Sequence, residues 1–115
     1  MIEVPRPGGP VRGSKSGKPI MALFDLLGRS WALGVIWKLS EAEPAGGVTF
    51  RGLQERCEGV SPTVLNKRLK ELGACNLVER GPAGYRLSAT GQELFGLLKP
   101  FGSWSVDWAE GLRPD

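Results

Sequence analysis

The segment from Gly59 to Gly73, GVSPTVLNKRLKELG, constrains this chain more than any other stretch. Ser61 carries the hydroxyl of a helix N-cap. Pro62 suits the first helical position, where its missing N–H would lack a partner anyway. At about 100° per residue, Leu69 and Leu72 fall within about 40° of Leu65, forming one apolar stripe. Thr63, Asn66, Lys67 and Lys70 fall on the opposite side, with Arg68 on the flank. A helix with a leucine back and a Thr/Asn/Lys front suits insertion into a DNA major groove, where such side chains meet base edges and phosphates. An ordinary surface helix also carries lysines on its solvated face. On these residues alone both readings stand.

At 115 residues the chain is one domain with room for a single modest core. No stretch approaches the roughly 18 apolar residues of a membrane span. The N-terminus lacks the hydrophobic segment of a secretory signal, so a cytoplasmic protein with no membrane partner is expected. Cys57 and Cys75 make neither a disulfide framework nor a zinc site, and both read as reduced thiols. There is no histidine, which removes the commonest general base and metal ligand. No catalytic residue, metal or cofactor is therefore expected, and an enzyme is the least supported class. The net charge of +3 is unevenly spread. Residues 1–18 hold Arg6, Arg12, Lys15 and Lys18 against Glu3, while the rest of the chain is balanced. Any DNA-binding face must come from local clustering plus this tail, because nonspecific affinity rests on phosphate neutralisation.

Residues 1–18, rich in Gly, Pro, Ser and basic side chains, read as a disordered arm ahead of a domain over 19–115. Ile20, Leu23, Phe24 and Leu27 recur at helical spacing, with Gly28 as a stop. Ser30 is placed to cap a second helix containing Trp31, Val35, Ile36 and Leu39, in which Gly34 suggests close helix packing. Glu43–Gly47 reads as a loop, Val48–Phe50 as a very short strand, and Phe50–Cys57 as a third helix. After Gly73 the period changes. Leu77–Arg80 and Tyr85–Ser88 read as strands around Gly81-Pro82-Ala83-Gly84. Thr90 is placed to cap a last helix carrying Leu94, Leu97, Leu98, Phe101, Trp104, Trp108 and Leu112, which Pro100 should kink or interrupt. This order is that of a winged helix: mainly α with a small β-hairpin wing (α+β).

The chain resembles the HxlR-type winged helix-turn-helix transcriptional regulators, relatives of the MarR group. The segments that carry the resemblance are DLLGRSW from Asp25, TFRGL from Thr49, VSPTVLNKRLKEL from Val60, LVER from Leu77, YRLS from Tyr85 and Thr90-Gly91, spanning about residues 18 to 112. It implies a dimeric, sequence-specific DNA-binding transcriptional regulator with its first and last helices at the dimer interface. Many members carry a cysteine directly before a proline at the start of the first helix, and some are thought to sense oxidants or electrophiles with it. Here that position is Lys18, so sensing by that residue is absent. The wing is also shorter than usual.

On this reading Ser61, Thr63, Asn66, Lys67, Arg68 and Lys70 contact bases and phosphates, with Arg51 as a backbone clamp. Arg80 and Arg86 flank the wing turn, where a cross-strand structural role competes with a DNA contact. Leu23, Phe24, Leu27, Phe101, Trp104, Trp108 and Leu112 form the dimer contact, and a two-fold dimer predicts a palindromic operator on double-stranded DNA. The basic arm is either a minor-groove arm or a mobile tail. Structural roles for Cys57 and Cys75 stand beside redox sensing, and a small-molecule effector is left open as a partner. The competing class is a winged-helix protein-interaction module without specific DNA binding.

Overall fold

The computed structural model describes residues 2–42 and 46–114. Among the described residues, six helices and one hairpin follow in order: α1 (Pro19–Leu27), α2 (Ala32–Glu41), α3 (Phe50–Arg56), α4 (Pro62–Ala74), β1 (Val78–Gly81), β2 (Gly84–Leu87), α5 (Ala89–Leu98) and α6 (Pro100–Gly111). The expected loop over residues 43–47 lies mostly outside the described residues. No single helix among those described is long and apolar enough to cross a membrane.

Helix α4 begins as its sequence dictates: the Val64 N–H donates to Ser61 Oγ at 3.2 Å and Pro62 opens the first turn. Thr49 caps α3 in the same way, accepting from the Gly52 N–H at 3.0 Å. Two expected caps fall elsewhere. Trp31, not Ser30, stands at the N-cap of α2, at a left-handed φ of 66° and with no side-chain cap. A Cβ on Gly34 would come within 2.5 Å of the Trp31 indole, so this glycine admits the ring of its own helix's N-cap residue rather than a second helix. Ser88, not Thr90, caps α5: its Oγ accepts from the Gly91 N–H at 3.0 Å and donates to the Asn76 carbonyl at 2.6 Å. Pro100 ends the pattern as expected, since α5 stops at Leu98 and α6 restarts at Pro100.

The hairpin is antiparallel, pairing Val78 with Leu87 and Arg80 with Tyr85 around a Pro82-Ala83 turn. The short strand expected at Val48–Phe50 is a single bridge, in which Val48 and Tyr85 exchange both backbone bonds at 2.8 Å. A side chain on Gly84, at φ 132°, would run into the Val48 carbonyl, so the Val48 backbone approaches this closely only because residue 84 is glycine. The core lies around α2, where Val35, Ile36 and Leu39 meet Leu26, Leu53, Leu65, Leu69, Leu72 and Leu87. Leu65, Leu69 and Leu72 are the predicted stripe, all buried, each contributing about 2 kcal/mol of apolar burial. This fixes which face of α4 looks outward.

The described part of the arm folds back on the body, where the Arg12 N–H donates to Asp25 Oδ2. The Gly8 N–H donates to the Gly17 carbonyl at 2.8 Å, and Val11 bridges Ser14. Gly8, Gly13 and Gly17 all sit at positive φ, so the glycines that read as disorder form tight turns.

Candidate nucleic-acid interface

Burial of the leucine stripe turns Thr63, Asn66, Lys67 and Lys70 to solvent on one face of α4. Neither lysine has an ion-pair partner among the described residues. Ser61 stands exposed at the helix start, with its hydroxyl committed to the cap. An open groove of about 700 Å³ runs beside this face, bordered by Lys67 and Lys70 on α4, Ser30 in the α1–α2 connection, and Arg12 in the arm.

Arg68 does not share that face. Its Nε donates to the Ser30 carbonyl at 2.7 Å and its Nη1 to Glu71 Oε1 at 3.0 Å, leaving the side chain 13% exposed. At about 60° from Leu65 it belongs to the edge of the buried stripe, and its guanidinium ties α4 to the loop before α2. Glu71 is itself buried and takes a second arginine, with Arg29 Nη1 donating at 2.7 Å. Arg29 Nε lies 3.6 Å from Asp25 Oδ1, and Asp25 Oδ2 accepts the Arg12 backbone N–H at 2.9 Å. Asp25, Arg29, Glu71 and Arg68 thus form a chain of charges joining the arm, α1 and α4. Sequence reasoning missed this network. The i,i+4 spacing of Asp25 and Arg29 and the i,i+3 spacing of Arg68 and Glu71 were its visible traces.

Both wing arginines have cross-strand partners. Arg80 Nη1 donates to Tyr85 Oη at 2.6 Å, with the guanidinium carbon 4.6 Å from the ring centroid. Arg86 Nε donates to Glu79 Oε2 at 2.8 Å, which neutralises its charge locally. Arg80 remains exposed and, with Asn66 and Lys70, borders a smaller groove of about 200 Å³ between α4 and the hairpin. Arg51 is exposed in the first turn of α3, with no ion pair among the described residues.

Helix α6 buries none of its residues, and Phe101, Trp104, Trp108 and Leu112 are all more than half exposed. Trp104 and Trp108 stack on each other with ring centroids 6.1 Å apart. Val106, on the same helix, and Leu97, at the end of α5, add exposed apolar surface that the sequence reading did not single out for contact. Trp37 is instead half-buried, edge-on to Phe95 at 5.2 Å. Of the α1 candidates, Phe24 is exposed, Leu27 packs partly on the core, and Leu23 lines a cavity beneath Val4, Pro5 and Pro7 of the arm. The two cysteines are poorly placed as nucleophiles. Burial pushes both thiols up from their ordinary value, only partly offset by Lys38 at Cys57 and by Arg6 and Arg29 at Cys75. The thiolate is the reactive form, so at neutral pH both are predominantly protonated.

An uncharacterised HTH-type transcriptional regulator of Methanocaldococcus jannaschii is 28% identical over 94 residues, covering 82% of this chain and 89% of that protein. The crystal structure of quinone-bound YodB from B. subtilis superposes with a TM-score of 0.65 at 28% identity, covering 76% of this chain and 96% of that one. Diamide-treated YodB gives 0.60 at 29% identity, over 77% and 92% of the two chains. The HxlR-like helix-turn-helix family matches residues 26–112, three-quarters of the sequence. The chain belongs to the HxlR-like helix-turn-helix family.

Proposed function

We propose that this DNA-binding transcription regulator reads a palindromic operator with α4, as a homodimer. One observation carries the proposal: a buried leucine stripe presents Thr63, Asn66, Lys67 and Lys70 together on one exposed face, with both lysines unpaired among the described residues. Asn66 and the lysines supply donors suited to base edges in the major groove, and the capped start of α4 favours a phosphate. In this reading Arg51 and Arg80, both exposed, serve as flanking phosphate contacts. Arg68 acts through position, holding α4 against the α1–α2 connection. Arg86, paired with Glu79, serves the wing before it serves DNA.

Dimerisation is supported by the apolar surface left on α6 and at Phe24, too large in aromatic content for an ordinary solvated face. A two-fold pair would set two α4 helices about one turn of DNA apart. YodB was crystallised with a quinone and after diamide treatment. For this chain we do not assign control by thiol chemistry, because Lys18 precedes Pro19 and both cysteines favour the protonated form.

Mobility shift on the DNA upstream of the protein's own gene and its neighbours tests the proposal. A discrete complex that weakens with salt and survives excess random DNA is expected. Binding that any DNA competes away equally would remove sequence-specific reading and favour the interaction-module class.

A further inference from the structure

We infer that the N-terminal arm is a fixed part of the DNA interface, with Arg12 clamping a backbone phosphate beside α4. The inference rests on the reading of α4 as the groove-entering helix, and extends it to a segment outside the stretch that the family matches, residues 26–112.

Three observations converge on Arg12. Its position is set, because its backbone N–H donates to Asp25 Oδ2 at 2.9 Å and the Asp25 side chain is only 5% exposed. The turn that carries it is closed by the Val11–Ser14 bridge and by the Gly8 N–H to the Gly17 carbonyl. Its residue is exposed, without an ion pair among the described residues, and borders the same groove as Thr63, Lys67 and Lys70. That groove is lined by five cationic side chains against Glu3 and Glu71. Arg29 and Arg68 are spent on Glu71, so Arg12, Lys67 and Lys70 are the cations free to meet an incoming anion.

The occupant that fits is the sugar-phosphate backbone flanking the major groove. It brings closely spaced negative charge and runs along the edge of any helix seated there. A guanidinium can take phosphate oxygens in a bidentate fork. Because the arm is already tied to Asp25, it loses less conformational freedom on binding than a mobile tail would. Asp25 is thus a positioning residue for this contact. A phosphate contact carries no base information, so the arm adds affinity and register rather than specificity.

The test compares full-length wild type with Arg12→Ala, Arg12→Lys and Lys67→Ala, measuring operator and random-DNA affinity across a salt series. Arg12→Ala should make the slope of log K against log salt shallower by about one unit per protomer and weaken operator and random DNA by a similar factor. Arg12→Lys should keep the wild-type slope. Unchanged affinity and slope in Arg12→Ala, while Lys67→Ala lowers both, would overturn the arm's role and leave the α4 reading intact. Tighter binding by Arg12→Ala would also overturn it, placing the arm as a competitor of DNA. If Lys67→Ala is silent as well, the α4 reading itself fails.

Discussion

Replacing Glu71 by alanine is expected to cost about 3 kcal/mol of folding stability. The carboxylate is buried and receives Arg29 at 2.7 Å and Arg68 at 3.0 Å. Removing it leaves two mostly buried guanidinium groups, Arg29 with only Asp25, 3.6 Å away, and Arg68 with no carboxylate partner among the described residues. Their side chains are 16% and 13% exposed, so some water reaches them, which keeps the loss toward the low end for a broken buried pair. Glu71→Gln should fall between, keeping an acceptor but not the charge. Urea unfolding at one fixed protein concentration reads the effect as a lowered midpoint at unchanged m-value. A loss below about 0.5 kcal/mol would place Glu71 with ordinary surface residues and remove the network from the account.

Reversing Lys67 and Lys70 together to glutamate should weaken operator binding by at least about a hundredfold and leave the fold intact. The two losses have separate origins. If α4 enters the groove, each lysine gives up a base or phosphate contact, a base contact being worth about 1–3 kcal/mol, and each new carboxylate then repels the phosphates it faces. The fold has no stake in either side chain, since both are exposed and neither has an ion pair among the described residues. Circular dichroism and the denaturation midpoint should match wild type while anisotropy titration shows the loss. Arg68→Glu is expected to behave differently, because it removes the contacts to Ser30 and Glu71 and so costs stability too. That contrast separates a reading residue from a positioning one.

What could be read from the chain beforehand was local. Ser61, Pro62 and the leucine spacing define α4 within one segment, and the structure keeps both cap and stripe where the sequence puts them. The hairpin followed from Gly81-Pro82-Ala83-Gly84, displaced by one residue. What could not be read depends on distant partners. Ser88 and Thr90 are both competent caps, and the choice is made by the Asn76 carbonyl, twelve residues before Ser88, which fixes the Ser88 hydroxyl. Arg68 carries the charge of a DNA contact, yet the Ser30 carbonyl 38 residues earlier claims it. Arg29 and Glu71 are 42 residues apart and meet only in the fold, where Arg29, just past the end of α1, reaches α4. In the arm, the glycine spacing that reads as disorder is also what permits the positive-φ turns that bring Arg12 to Asp25.

Dimethyl sulfate protection on the operator tests the central claim most directly, since the reagent methylates guanine N7 in the major groove and adenine N3 in the minor groove. If α4 of each protomer enters the major groove, guanine N7 should be protected in two symmetric patches about 10 base pairs apart. Guanine N7 as reactive as in free DNA, with protection confined to adenine N3, would contradict insertion of α4.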